Sequence, residues 1–309
     1  MGNLFLKVKY MSCKNNVFGL GEILWDMFPH GRSLGGAPLN FAYHCNQLGF
    51  SSCPVSCLGR DELGAEARVR LVEMGLSLDY VAEDRQYPTG HVNVEVDQRG
   101  VPVYTIREQV AWDVIPSSPE FIQAAKTAEA VCFGSLAQRC PVSADTIHLF
   151  LSSMPSDSLK FFDVNLRQSF YSKTCIEQSL KLANVLKLSD EELPVLASMF
   201  DLSGPVTEQL TVLRERFNLR LVAYTRGGGG SLLMTDTDMH DHSGHPSEVV
   251  DTVGAGDSFT ATLCVDLLHD VPLPELNDHA NQVAAFVCSQ KGATPPLPNH
   301  LKGVNYAAQ

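Results

Sequence analysis

The run Asp251-Thr252-Val253-Gly254-Ala255-Gly256-Asp257-Ser258-Phe259 holds the residue types best suited to chemistry in this chain. Val249 and Val250 before it end a predicted strand, and residues 259–268 after it read as a helix. Between them, Gly254 and Gly256 leave backbone N–H groups uncovered at a helix start. Free donors and the helix dipole together attract an anion there. Asp257 falls in the first turn of that helix. A carboxylate beside an anion hole repels phosphate, so its use would be different. It would take a proton from a hydroxyl while the N–H groups hold the developing negative charge. The alternative is a strand–turn–helix joint with Asp257 as a helix cap.

Five other places in the chain offer groups for binding. In Gly35-Gly36-Ala37-Pro38-Leu39-Asn40-Phe41-Ala42 the paired glycines permit close backbone approach to a ligand, and Pro38 suits the first helical turn. Asn40, one turn in, could offer its amide to hydroxyls; the alternative is a loop and a capped helix running to Leu48. Asp26 follows the first predicted strand, at the edge where open α/β sheets bind ligands, or is a solvated loop acid. Asp163, Asn165 and Arg167 alternate along extended backbone and would point the same way, suiting hydroxyls or an anion, or forming a salt-bridged turn. Lys187-Leu188-Ser189-Asp190-Glu191-Glu192 ends a strand and begins a helix. Ser189 and Glu192 there read as a capping box, or as acids arranging water around Mg²⁺. Arg226 is followed by four glycines, 227–230, without the lysine of a Walker loop. That run could pass close under a nucleotide or be a flexible hairpin.

These groups need a scaffold, and the chain reads as repeated βα units. Strands are predicted at residues 17–23, 54–58, 130–133, 159–163, 221–225 and 231–234. Helices are predicted at 61–74, 121–127, 143–153 and 276–290, the last ending at the Lys291-Gly292 stop and carrying Asn281. Gly19-Leu20-Gly21 opens like a dinucleotide fingerprint, but Leu24 replaces the third glycine and no helix follows directly, so a Rossmann site is rejected. Residues 91–97 and 101–107 alternate around Gln98-Arg99-Gly100 and predict an antiparallel hairpin. Such an insert suits a lid over a site, a dimer surface, or both.

The 309 residues, 44% of them hydrophobic, suffice for one large α/β core or one core with a small appendage. With 23 Lys plus Arg against 35 Asp plus Glu, the net charge of −12 argues against general binding to nucleic acid or an anionic membrane. Nine scattered cysteines read as reduced thiols of a cytoplasmic protein, and Cys53 and Cys57 lack the second pair of a zinc site. Residues 1–9 are too short and too charged for a signal or a membrane span. Gly2 is not followed by Ser or Thr at position 6, against myristoylation, and Met11 is an alternative start. His240, His242 and His245 cluster without acidic or Cys partners at metal spacing and read as surface residues.

Taken together, the run 251–259 resembles the C-terminal signature of the ribokinase-like (phosphofructokinase-B) carbohydrate kinases, and 35–42 resembles their N-terminal sugar-side motif. Order and spacing extend the resemblance over residues 17–293. It implies a ribokinase-like α/β fold: a central, mostly parallel sheet flanked by helices. It implies a single carbohydrate kinase domain over 1–309, with residues 88–108 as a β-hairpin lid joined by parts of 24–35. It implies ATP-dependent phosphorylation of a sugar hydroxyl with Mg²⁺ and a monovalent cation such as K⁺. Asp257 would be the base and Gly254, Ala255 and Gly256 the anion hole. Asp26, Gly35, Gly36 and Asn40 would hold the sugar, with Asn165, Arg167 and Arg107. Lys187, Thr225, Gly227, Gly230 and Asn281 would lie on the nucleotide side. Glu192 would be linked to Mg²⁺ and Asp251 to the monovalent cation. Ser189 stands where the Mg²⁺-linked motif usually has Asn, a departure that bears on metal affinity. Gly35-Gly36-Ala37-Pro38 and Asp163-Val164-Asn165-Leu166-Arg167 look like fructokinases and 2-keto-3-deoxygluconate kinases, and Ala111-Trp112-Asp113 looks fructokinase-like, which together imply D-fructose to fructose 6-phosphate. The competing readings are a 2-keto-3-deoxygluconate kinase, in which Arg167 or Arg107 pairs with the carboxylate, and a non-catalytic sugar sensor.

Overall fold

The computed structural model describes residues 17–96 and 102–303. The N-terminal readings at residues 1–11 and the hairpin turn at 98–100 lie outside the described residues. The chain runs β1 (Val17–Leu20), β2 (Leu24–Phe28), β3 (Gly31–Gly35), α1 (Ala37–Gln47), β4 (Ser52–Gly59), α2 (Glu62–Glu73), β5 (Val81–Asp84), β6 (Gly90–Val96) and β7 (Pro102–Ile106). It continues through α3 (Pro119–Ala125), β8 (Ala130–Phe133), α4 (Pro141–Ser153), β9 (Leu159–Asp163), α5 (Lys173–Leu182), β10 (Val185–Ser189), α6 (Leu193–Phe200) and α7 (Val206–Arg216). Last come β11 (Leu221–Thr225), β12 (Ser231–Met234), β13 (Met239–His242), α8 (Ala255–Leu268) and α9 (Leu273–Cys288).

The main sheet has nine strands in the order β13-β12-β11-β10-β9-β8-β1-β4-β5. Seven are parallel, and β12 and β13 close one edge antiparallel. The central strands β1, β4 and β8 are buried along their whole length, as expected where helices cover both faces. From β1 the chain builds outward first to β4 and β5, then returns to β8 on the other side. The carboxyl ends of β1 and β8 therefore part at a topological switch point, the usual ligand position in open α/β sheets. Helices α1, α8 and α9 bury Phe41, Cys45, Phe259, Leu263, Leu276 and Val283 on one face. Helices α3 to α7 bury Phe121, Phe150, Leu180, Leu196 and Leu213 on the other.

Helix α8 is buried continuously from Ser258 to Asp266 because it lies between α1 and α9. That explains its run of apolar and small residues with no polar stripe. Its burial also fixes its N-terminus. Helix α2 is the contrasting case, amphipathic and capped by Asp61, whose Oδ1 accepts from the Gly64 N–H at 2.8 Å.

A second sheet of four strands, β3-β2-β6-β7, stands apart from the first. It contains the predicted hairpin, β6 paired antiparallel with β7, and the β2–β3 pair beside it. Four expectations are corrected here. The first strand stops at Leu20, and Asp26 lies on β2 of the small sheet, not in a loop after β1. Val249 and Val250 are not in a strand: they are 62% and 60% exposed, and the Val250 and Asp251 N–H groups reach the Cys288 carbonyl instead of a neighbouring strand. The alternation of Asp163, Asn165 and Arg167 breaks because β9 ends at Asp163 and Asn165 has φ 45°. Among the described residues seven cysteines are free thiols, whereas Cys53 is disulfide-bonded, against the reduced set expected. Among the described residues no helix is long and apolar enough to cross a membrane.

Candidate active site

A cleft of about 680 Å³ opens between the carboxyl edge of the main sheet and the small sheet. Its floor is the start of α8. Gly254, the N-cap, has φ 81°, and a side chain there would strike the Ala293 carbonyl. Only glycine combines that backbone with that close contact. The first-turn N–H groups of α8 have no intrahelical carbonyl to meet, and Gly254 and Gly256 line the cleft. Ala255 does not line it, and its N–H faces the Thr252 carbonyl at 3.4 Å.

Asp257 sits on this turn with its carboxylate in the cleft. Asn40 Nδ2, from the first turn of α1, donates to Asp257 Oδ2 at 2.8 Å. Burial raises the Asp257 carboxyl above its ordinary value, against the lowering effects of Asn40, Lys187 and Arg167. A raised carboxylate moves toward the range where general bases work. Lys187, on β10, ion-pairs with Asp163 Oδ1 at 3.0 Å, and Thr260 Oγ1 donates to Asp163 Oδ2 at 3.0 Å. Burial pulls the Lys187 ammonium down, but Asp163, Glu192 and Asp257 hold it above the usual lysine value. Its Nζ lies 3.1 Å from where a side chain on Gly256 would begin, so a fixed cation stands directly over the helix start. Helix amides and ammonium together make a strong anion site.

The walls carry both polar and apolar groups. Leu24, Asp26 and Phe28 alternate on β2 and all face the cleft, with Val92, Tyr104 and Ile106 from the hairpin. Burial raises Asp26 to about 6, partly offset by Arg167. Gly35 is outside the lining, but a side chain on it would come within 3.1 Å of the Asp26 carboxylate. Gly36 lines the cleft at φ 117°, packed against the Glu22 carbonyl. Asn165 and the exposed Arg167 line the opposite side.

Sequence reasoning missed Glu22. It is 2% exposed, lines the cleft, and burial pushes it up to about 7. Among the described residues its Oε2 has no hydrogen-bond partner, and neither has the buried Asn40 Oδ1. Two such acceptors call for donors from a ligand. Gln168 was also missed: its Nε2 donates to the Tyr104 carbonyl at 2.6 Å, linking the loop after β9 to β7.

Glu192 faces the cleft, with Oε1 accepting from the Leu166 N–H at 2.9 Å and Oε2 from the Ser189 N–H at 2.8 Å. Ser189 Oγ accepts from the Glu192 N–H at 3.3 Å, so the predicted reciprocal pair forms, though α6 starts at Leu193, three residues after the start a cap at Ser189 would give. One held carboxylate facing open space fits a largely hydrated Mg²⁺ on ligand phosphates, which needs few protein oxygens. Asp251 lies outside the lining, and its two oxygens accept from the Val253 and Gly292 N–H groups, each at 3.0 Å.

The remaining predicted residues stand apart. Thr225 pairs in register with Ser189, so Thr225, Gly227 and Gly230 follow the strand next to β10, outside the cleft lining. Asn281 is buried, and its Nδ2 donates to Ser231 Oγ at 2.7 Å and to Asn277, so it is neither an exposed residue nor a free amide. Arg107 is exposed and outside the lining; its carbonyl accepts from Arg139 Nη2 at 2.6 Å. His240, His242 and His245 are half-buried, against expectation, because Asp278 of α9 comes against His242 and His245.

A carboxylate in this cleft, facing a helix start under a lysine, is an arrangement suited to moving a phosphoryl group onto an alcohol. The sequence matches the pfkB family carbohydrate kinase pattern over residues 30–300. The chain belongs to the pfkB family of carbohydrate kinases. It is 29% identical over 300 residues to a fructokinase of Salmonella typhimurium, covering 91% of this chain and 96% of that one. It superposes with a TM-score of 0.74 on an uncharacterised sugar kinase of Pyrococcus horikoshii in complex with ATP, at 26% identity over 90% of this chain and 94% of that one. A fructokinase from Xylella fastidiosa with bound ATP shares the fold at a TM-score of 0.80, with 21% identity over 92% and 95% of the two chains.

Proposed function

We propose that this sugar kinase transfers the γ-phosphoryl group of ATP to the 6-hydroxyl of D-fructose. The observation that carries the reading is the Asn40–Asp257 pair at the N-terminus of α8, with buried acceptors Glu22 Oε2 and Asn40 Oδ1 beside it. The sugar lies between the small sheet and α1. Its hydroxyls donate to Asp26 and Glu22 and meet Asn165, and its apolar face rests on the side chains of the small sheet. Asp257 accepts the proton of the attacking hydroxyl. The N–H groups around Gly254–Gly256 and the Lys187 ammonium hold the charge on the transferring phosphoryl group, which needs alignment and neutralisation more than covalent help. The nucleotide extends from there toward Gly227–Gly230. Mg²⁺, when bound, neutralises the phosphates, and Glu192 would hold its water shell. The small sheet acts as a lid that keeps water from the phosphoryl group.

Asp26 and Glu22 argue for a neutral sugar over a keto acid, because two acids in one wall repel a carboxylate. Arg167 faces the cleft opposite them, Lys187 at the helix start is already paired with Asp163, and Arg107 lies outside the lining. The test is ADP release with ATP and a panel including D-fructose and 2-keto-3-deoxygluconate. Fructose should give the highest kcat/KM; preference for the keto acid would overturn the substrate, and binding without ADP release would overturn the chemistry.

A further inference from the structure

We propose that His242, His245 and Asp278 form a binding site for a first-row transition ion of the Zn²⁺, Co²⁺ or Ni²⁺ class, separate from the cleft. Strand β13 pairs with β12 and ends at His242. The chain then turns, and Gly244 donates its N–H to His242 Nδ1 at 3.0 Å. That bond aims Nε2 of the ring at α9. His245 approaches from the other side of the turn. Both rings converge on one oxygen: His242 Nε2 stands 3.1 Å and His245 Nε2 2.8 Å from Asp278 Oδ1. The second oxygen, Oδ2, is held by Gln282 Nε2 at 2.7 Å, one turn further along α9. Asn277 fixes the helix to the strand by donating to the His240 carbonyl at 3.0 Å.

All three ligand atoms lie within 4.8 Å of one another. A tetrahedral ion with bonds of about 2.0–2.2 Å sets its ligand atoms roughly 3.3–3.5 Å apart. The observed separations therefore need only small movements to admit an ion. Two imidazoles and a carboxylate suit these borderline ions; Mg²⁺ and Ca²⁺ ask for oxygen alone. Gln282 supplies the outer-shell bond that orients a ligating carboxylate. Proton balance is simple for His242. As it stands, Nδ1 accepts, so the ring proton is on Nε2. On binding, that proton passes to Nδ1, the Gly244 bond is given up, and the freed Nε2 lone pair ligates. A water completes the shell.

The ion would tie the loop after β13 to α9. This loop abuts the turn after β11: Arg226 Nη2 donates to the His242 carbonyl at 3.0 Å and pairs with Asp241. The site is invisible along the chain, because Asp278 is 33 residues from His245.

The test uses the whole chain, stripped with chelator, titrated with Co²⁺ and followed by visible absorption without nucleotide. One ion per chain should bind with the visible bands of a nitrogen–oxygen site and no thiolate charge-transfer band. His245→Gln and Asp278→Asn should each weaken binding by about tenfold or more. Zn²⁺ competition against a chromophoric chelator should show the same order. No binding, a thiolate band, or unchanged affinity in H245Q would overturn the site. Circular dichroism of each variant identifies loss of fold, and H245Q and D278N provide independent reports.

Discussion

Asp257 must be basic enough to accept a proton and yet remain charged while buried. Burial raises its carboxyl, and Asn40, Lys187 and Arg167 restrain the rise. At Glu22 burial outweighs the lowering by backbone N–H groups and Arg167, and Asp257 adds to the rise. Glu22 titrates near 7 against an ordinary value of 4.5, so the folded protein holds its proton longer than the unfolded chain does. Stability from Glu22 is then complete below the unfolded value and is lost as pH rises through the folded one. Glu22→Gln removes this dependence. Relative to the parent, the variant should gain on the order of 1–3 kcal/mol between about pH 4.5 and 7, then level off. Denaturant unfolding of both proteins across that range measures it, and parallel curves would contradict the assignment. The contrast also shows what sequence can carry. Asp257 and Asn40 announce themselves through adjacent glycines and a helix start. Glu22 has no such neighbours: it sits in an apolar run that reads as strand, and only the turn between β1 and β2 brings it to the cleft.

Between elements, the small sheet is anchored by a buried ion pair. Arg139 Nε and Nη2 grip the two Asp113 oxygens at 2.8 and 2.9 Å, and the guanidinium lies 3.9 Å over the Trp112 ring. Its Nη2 also holds the Arg107 carbonyl just past β7. The Ala111-Trp112-Asp113 run thus buttresses the cleft wall from outside its lining. Asp113→Ala would strand the arginine charge and should cost about 3–5 kcal/mol in unfolding free energy. A loss below about 1 kcal/mol by urea titration would show that the pair is not structural. Most elements were legible because buried parallel strands and amphipathic helices have strong periods. β13 was not, since its alternating polar residues at an antiparallel edge resemble a loop. Val249 and Val250 misled for the opposite reason: apolar type suggested a strand where no neighbouring strand pairs.

For the whole molecule, the order of strands decides where chemistry happens, and no local pattern encodes it. Packing β1 between β4 and β8 assembles Glu22, Asn40, Lys187 and Asp257 from distant parts of the chain. It also explains why Thr225 and Gly227 fall one strand beyond the cleft. The small sheet meets the main body across that cleft through the Gln168–Tyr104 bond. If the sheet closes over the sugar, losing this single bond should weaken closure by about 0.5–1.5 kcal/mol. Gln168→Ala should then raise KM for the sugar by roughly two- to tenfold, with little change in thermal midpoint. Steady-state kinetics with unchanged KM would remove Gln168 from the closing contact.

The most direct test of the whole account replaces one atom in the cleft. Asp257→Asn keeps the shape and loses the base. The account predicts that calorimetry finds sugar and ATP-analogue affinities within a few-fold of the parent, while kcat falls by about 10²–10⁴. Turnover close to that of the parent, with both ligands bound, would contradict it.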